Sequence, residues 1–380
     1  MLADFGATVI KVERPGSGDI LRTLDPVANE QGVMSCYYAA LCRNKYTVCI
    51  DIKQPDGQAA LLKLIDQADV LIHNFRPGVM ERLGLGYEEL AKRNPRLIFA
   101  GGYAFGQHGP MSKLPGQDML AQAFSGFTMS GRDPDEEPKL NNTPVMDYSA
   151  ALSLTQGILA AVIERGRSGK GQAVSTSLLE VAVGMQTLEI ASQTMHGTDT
   201  SWLRQSMVFR AKDGWIVVLT LFRDNPLRLL CDAFGVSDMS ESEQFRTVEL
   251  QIASKASIHE RFAPLFAQES VAEVTKRLAR VDILYSPINR LPDTLSHPQI
   301  EANGSIWSID VPGHGELKVA GSAVKLSRTP ATYRRAPAWM GADNEEVLQS
   351  FGFSEDEINA LKKSEALKSD PRSDSVGATK

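Results

Sequence analysis

Cysteine is scarce in this chain, and what there is sits badly for the roles cysteine usually takes. Four occur in 380 residues, at 36, 42, 49 and 231. None forms a C-x-x-C pair, and no Cys/His group has zinc spacing, which argues against a zinc site or a redox motif. Cys36, Cys42 and Cys49 lie among apolar neighbours, so buried or half-buried thiols in a reducing compartment are expected. The six histidines are scattered, and no metal is expected. Basic and acidic residues are interspersed at a net charge of -6, without the basic block that tracks a nucleic-acid backbone. No stretch reads as the ~20 apolar residues of a membrane span. Asp4 and Gly6 interrupt the N-terminus and no cleavage site follows, so no signal peptide is expected and a cytoplasmic location is. There is no internal repeat. No G-x-G-x-x-G follows the first strand, which disfavours a dinucleotide-binding oxidoreductase.

What is present is ample apolar material, 43% of the chain, and enough length for two or three domains at roughly 150 residues each. The first half alternates strand and helix signals. Strands are expected at Ala7–Glu13, Tyr46–Ile52, Asp69–His73, Leu97–Ala100 and Gln172–Ser177. Between them lie a helix from Pro55 to about Gln67 and a helical stretch Val79–Arg93, broken near Gly84–Gly86. Residues 148–165 give the strongest helix signal, and Leu178–Met195 reads as another long buried helix. Short apolar strands separated by helices imply an α/β fold, a Rossmann-like parallel sheet with right-handed crossovers. Gly197–Arg204 is polar and turn-rich. A strand at Trp215–Leu221 and more charged helices then suggest a smaller domain over 205–295. Strands return at 305–330 (SIWSIDV, ELKVA, AVKLS), followed by a helical pair at 344–363, both in the part 305–363 that returns to the large domain 1–195. The tail 364–380 is rich in Ser, Lys and Asp and is expected to be disordered.

Asp147 directly precedes the long apolar helix, so its simplest role is a helix cap. A carboxylate at a helix N-terminus is also stabilised as the anion by backbone N–H groups and the helix dipole, and so is available as a nucleophile. Asp118 stands in the same relation to MLAQAFSG and again reads as a cap. Arg14 ends the first strand, at the end of an open α/β sheet where ligands commonly lie. Asn74, Phe75 and Arg76 end the DVLIH strand, and Arg82 follows about one helical turn on. Exposed cations are usually solvated surface charges, but this clustering at strand ends suits a small polyanion.

Several segments together carry a resemblance. They are ADFGATVIKVERPGSGD at 3–19, NKYTVCIDIKQPDG at 44–57, NFRPGVMERLGLGYEEL at 74–90 and NPRLIFAGGYAFGQHGP at 94–110. PGQDMLAQAFSG at 115–126, PVMDYSAALSLTQGILAAVIERGRSGKGQ at 144–172 and GSAVKLSRTPATYRRAPAWMGADNEEVL at 321–348 complete them. The chain resembles the family III CoA-transferases, the CaiB/BaiF group of formyl-CoA transferase, carnitine dehydratase and α-methylacyl-CoA racemase. The resemblance implies transfer of CoA from an acyl-CoA to a carboxylic acid without a metal, with Asp147 attacking the thioester to form an aspartyl covalent intermediate. It implies that Arg14, Ile50, Asp51, Ile52, Lys53, Asn74, Phe75, Arg76, Arg82, Gln117 and Asp118 line the coenzyme A site. It also implies a small domain inserted in the large one, and an interlocked, ring-like homodimer. Racemases of the group carry His where this chain has Gln117. An amide cannot shuttle a proton at neutral pH, so transferase is favoured over the alternative, an acyl-CoA racemase or epimerase. The resemblance further implies about 20 residues ahead of Met1, with a first strand and a Gly-Pro loop. Their lack leads to the expectation of a less stable, catalytically impaired form, or a CoA-binding paralogue. The glycine loop of formyl-CoA transferase has no counterpart around 197–212.

Overall fold

Parallel strands dominate the first half, as short apolar runs between helices require. In the computed structural model, which describes residues 1–130, 135–197, 206–220 and 222–373, β1 (Val9–Glu13) pairs parallel with β2 (Lys45–Cys49), Glu13 opposite Cys49. A second parallel sheet joins β3 (Val70–His73), β4 (Ile98–Tyr103) and β5 (Ala173–Ser177), with β4 in the middle. Ile98, Phe99 and Ala100 of β4 are buried, as a strand covered on both faces must be. The helix Pro55–Ile65 connects β2 to β3. The expected break near Gly84–Gly86 separates the helices Val79–Arg82 and Tyr87–Arg93.

The chain divides into two compact units. One comprises Met1–Ser125, Leu140–Met185 and Pro298–Lys380; the other comprises Gly126–Lys139 and Gln186–His297. The second unit has its own antiparallel sheet, β6 (Ser206–Arg210), β7 (Trp215–Leu219) and β8 (Leu284–Pro287). Phe209, Phe262 and Phe266 fill its core with no exposed surface. In the first unit an antiparallel hairpin, β9 (Ile306–Val311) and β10 (Gly315–Ala320), packs on the helix Cys36–Cys42 through Met34, Tyr38, Ile309 and Val311.

The helix expected at 148–165 runs from Val145 to Ser168. By length and composition it is apolar enough to cross a membrane, which the sequence reading did not expect. The expected long buried helix 178–195 is instead two helices, Leu178–Met185 and Thr187–His196, and the second buries no residue. Cys36 is exposed, although its apolar neighbours suggested burial. The third late strand, AVKLS at 323–327, does not form. The turn at 197–204 and the missing glycine loop at 197–212 fall largely on residues outside those described.

Residues 364–373 are built into the fold, where a tail was expected. Ala366 and Leu367 are buried. Lys368 N donates to Cys49 O (3.1 Å) and Asp51 N to Ala366 O (2.8 Å). Beside them Thr47 N donates to Asp343 Oδ2 (2.8 Å) and Cys49 N to Asn344 Oδ1 (2.9 Å). The free edge of β2 is thus closed by side chains and irregular backbone rather than by a strand, which satisfies donors that burial would otherwise orphan. The remainder of the expected tail, 374–380, lies outside the described residues.

Candidate active site

Asp147 belongs to the first turn of its helix and does not cap it. The helix begins at Val145 with Pro144 as N-cap, because proline suits a helix start. Asp147 N donates to Asp118 Oδ2 at 2.9 Å. The expected depression of its pKa is reversed. Partial burial raises the Asp147 carboxyl above its ordinary value, and the charge of Asp118 raises it further. Its side chain still opens to solvent, since the residue is exposed.

Asp118 is likewise not a cap. Gln117 is the N-cap of the helix Asp118–Phe124, its side chain accepting from Met119 N at 3.2 Å. Asp118 is the first helical residue and is almost fully buried. Gln122, one turn on and with no exposed surface, donates to Asp118 Oδ1 (2.5 Å) and to Asn141 O (3.0 Å). Its Oε1 accepts from Asn141 N at 2.9 Å. Gln122 therefore ties the helix of Asp118 to the segment that leads into the helix of Asp147. Sequence reasoning missed it; the i, i+4 spacing from Asp118 was its only signal.

β4 places this pair. Its carboxyl end leads into Ala104 and Phe105, and a Cβ on Gly116 would come within 2.2 Å of the Ala104 Cβ. Only glycine lets the returning loop pack there, which sets Gln117 and Asp118 beyond the end of β4. The helix Val145–Ser168 lies on β4 and β5, with Gly157 close against Val174. A carboxylate pair beyond the carboxyl ends of parallel strands is where α/β folds bind ligands.

The remaining predicted residues form two groups. Ile50 N donates to Glu13 O (3.0 Å), so Arg14 and the turn Ile50–Lys53 leave the same end of β1 and β2. Arg14 is exposed and its Nε donates to Ser17 Oγ (3.1 Å). Ile50 is buried, Asp51 and Ile52 are half-buried and Lys53 is exposed. Asp51 accepts from Lys53 N (3.1 Å) and Gln54 Nε2 (3.1 Å), closing the turn. Asn74, Phe75, Arg76 and Arg82 are all exposed beyond β3. Among the described residues, hydrogen bonds and ion pairs join Asp147 to Asp118 and Arg14's strand to the Ile50 turn, but do not join the three groups to one another. Arg14, Lys53, Arg76 and Arg82 form no ion pair among the described residues, which leaves four cations free for a polyanion.

The profile of CoA-transferase family III matches residues 1–344. The chain belongs to CoA-transferase family III. It is 32% identical to an acyl-CoA transferase of Fusarium pseudograminearum, over 95% of this chain and 82% of that protein. It is 29% identical to the mouse succinyl-CoA:glutarate CoA-transferase (92% and 81%) and 30% identical to the acetyl-CoA:oxalate CoA-transferase of Acetobacter aceti (86% and 84%). Among solved structures, Rv3272 from M. tuberculosis superposes with a TM-score of 0.79 at 27% identity, covering 90% of this chain and 92% of that one. A CaiB/BaiF family protein from Brucella suis shares the fold, with a TM-score of 0.81 at 24% identity over 92% and 93% of the two chains. As a family III CoA-transferase, the protein is an enzyme that takes CoA thioesters as substrates and transfers CoA to a carboxylic acid.

Proposed function

We propose that Asp147 is the nucleophile through which this enzyme passes CoA between two acids. The observation that carries this is the Asp118–Asp147 pair at the carboxyl end of β4. The Asp147 carboxylate attacks the donor thioester, expelling CoA thiolate and forming an acyl-aspartyl anhydride. The thiolate attacks the aspartyl carbonyl, releasing the donor acid and leaving an aspartyl-CoA thioester. The acceptor carboxylate opens that thioester to a second anhydride. The thiolate then attacks the acceptor's acyl carbon, giving the product thioester and restoring Asp147. Each acylation of Asp147 removes a charge that faces Asp118, so repulsion in the resting enzyme favours the covalent step.

The acid limb of kcat/KM is expected above the ordinary Asp value of 3.8. Asp118→Asn removes the neighbouring charge, so Asp147 ionises at lower pH and the limb moves down. The rate at neutral pH falls about tenfold or more, because the anion is less basic. An unmoved limb in Asp118→Asn would separate the two carboxylates functionally.

Arg14, the Ile50–Lys53 turn, Asn74–Arg76 and Arg82 are assigned to coenzyme A, with the arginines on its phosphates. Arg14→Ala and Arg82→Ala are each expected to weaken CoA binding by about 1–3 kcal/mol, the scale of a charge-assisted hydrogen bond. Calorimetric titration with CoA and 3′-dephospho-CoA reads this; parental affinity for both ligands in both variants contradicts it. The relatives' substrates make short dicarboxylates the first acceptors to screen by mass spectrometry against several acyl-CoA donors.

The enzyme is further proposed to be a cytoplasmic homodimer with the second unit as an inserted domain. Tyr148, Leu152, Leu159 and Ile163 are 50–63% exposed along one face of the helix Val145–Ser168. An apolar stripe of that size wants a cover, and a second copy supplies it in the interlocked arrangement. Leu159→Glu is expected to shift sedimentation toward the monomer; an unchanged dimer would place the interface elsewhere.

A further inference from the structure

His73 ends β3 almost fully buried, 9% exposed, and its Nε2 has no hydrogen-bond partner among the described residues. Its other nitrogen, Nδ1, lies 3.3 Å from the backbone N of Phe75. A backbone N–H only donates, so Nδ1 is the acceptor and the single proton of the neutral ring sits on Nε2. Aromatic rings pack around the imidazole. Phe99 lies 4.9 Å away between centroids, and Tyr103 lies 5.8 Å away, edge-on. Phe75 runs nearly parallel to the imidazole at 6.2 Å and 19°. Phe75 is itself 43% exposed. One histidine thus holds both the backbone and the ring of a residue that faces solvent at a strand's carboxyl end.

We propose that His73 is a positioning residue for coenzyme A binding: Nδ1 fixes the Asn74–Arg76 turn, and the imidazole face holds the Phe75 ring out as a flat surface for the ligand. This rests on the assignment of Asn74–Arg76 to CoA. The buried Nε2–H then has a physical reason. Placing the proton there keeps Nδ1 free to accept, and the aromatic enclosure tolerates a neutral N–H better than a charge.

Protonation of the ring would convert Nδ1 from acceptor to donor, directed at the Phe75 N–H. The turn would lose its tie, and CoA affinity would fall at acid pH. Burial holds the His73 pKa below the ordinary 6.5, and Glu81 on the helix Val79–Arg82 partly offsets this. Among the described residues, the other titratable side chain whose ring meets the imidazole is Tyr103 on β4. Burial keeps it protonated, and it accepts from Gln107 Nε2 at 2.9 Å. Phe75 and Phe99 carry no charge.

Two substitutions separate this role from mere packing. The amide oxygen of His73→Asn reaches the place of Nδ1, whereas His73→Gln carries its polar atoms to the place of Nε2. Free CoA is titrated calorimetrically into the parent and both variants from about pH 8 to about pH 5.5, across the range where imidazole titrates. At the upper pH, His73→Asn should bind within about threefold of the parent and His73→Gln about tenfold more weakly, the scale of one hydrogen bond. A slope shared by all three proteins belongs to the phosphates of CoA. Any weakening of the parent beyond that slope at the acid end should be missing in His73→Asn, and extra weakening shared by both would contradict the role of Nδ1. Parental affinity in His73→Gln overturns the proposal, as does equal weakness in both variants. Arg76→Ala reports on the underlying assignment: unchanged CoA affinity there would remove the ligand from this turn whatever His73 does.

Discussion

Asp147→Ala is expected to cut kcat by at least about a thousandfold, the scale seen when a covalent nucleophile is lost, while CoA still binds. The separation follows from where the groups sit. Asp147 stands on the first turn of the helix Val145–Ser168 and is tied by its backbone N–H to Asp118. The proposed CoA contacts lie beyond β1, β2 and β3. The backbone bond to Asp118 survives the substitution, so the helix start is retained. Asp147→Asn is the closer test, because it keeps size and hydrogen bonding but removes the anion. Stopped-assay kinetics with calorimetric CoA binding distinguish the outcomes. A kcat within tenfold of the parent in either variant would mean another group carries the acyl transfer.

A second large effect is expected at Glu13, far less conspicuous in the sequence. Glu13 ends β1 and is 4% exposed. It accepts from Arg22 Nε (2.8 Å) and Nη2 (2.7 Å), Thr47 Oγ1 (2.6 Å), Tyr38 Oη (3.0 Å) and Asp19 N (2.8 Å). The Arg22 guanidinium also lies over the Tyr38 ring at 3.6 Å. Burial alone would push the carboxyl up, but Arg22 and the other donors overcome it and hold it at about 2. Glu13→Ala leaves a half-buried guanidinium with only the Ala338 carbonyl (3.1 Å) and strands three further donors, and is expected to cost about 3–5 kcal/mol in urea unfolding. The same network makes stability depend on pH in a fixed direction. The pKa is depressed in the fold, so its contribution is fully present above the unfolded value of 4.5 and is lost as pH falls toward 2. At roughly 1.4 kcal/mol per unit, that amounts to about 3 kcal/mol. Glu13→Gln should flatten this part of the profile. An unchanged profile would show that Glu13 does not govern acid stability. Because the network also ties Asp19 and Arg22 to β1, Glu13→Ala should loosen the loop that follows Arg14.

The elements legible from sequence were those set by local periodicity. The apolar runs of β1, β3, β4 and β5 and the amphipathic helix after Pro55 needed no partner to be recognised. The break at Gly84–Gly86 was equally readable, because glycine ends helices by local means. Distant segments decided the rest. Residues 364–373 read as a tail because Ser, Lys and Asp dominate them, yet Ala366, Leu367 and a few backbone bonds suffice to seat them against β2. AVKLS alternates like a strand but finds no pairing strand. The position of Asp147 was displaced by three residues, since Pro144 starts its helix earlier than the apolar pattern shows. The sense of its pKa shift was reversed by partial burial, and further by a carboxylate 29 residues away, neither of which the local sequence shows. Gln122 is legible only once the segments it joins are seen together.

If CoA passes through a covalent bond to Asp147, that bond can be trapped. The enzyme is incubated with an acyl-CoA donor, quenched with hydroxylamine, digested and examined by mass spectrometry. Hydroxylamine converts an aspartyl thioester or anhydride to the aspartyl hydroxamate, releasing CoA or the donor acid. A hydroxamate is expected on the peptide containing Asp147, absent without donor and absent in Asp147→Ala. A hydroxamate on another acidic residue, or turnover with no donor-dependent hydroxamate at all, would contradict it.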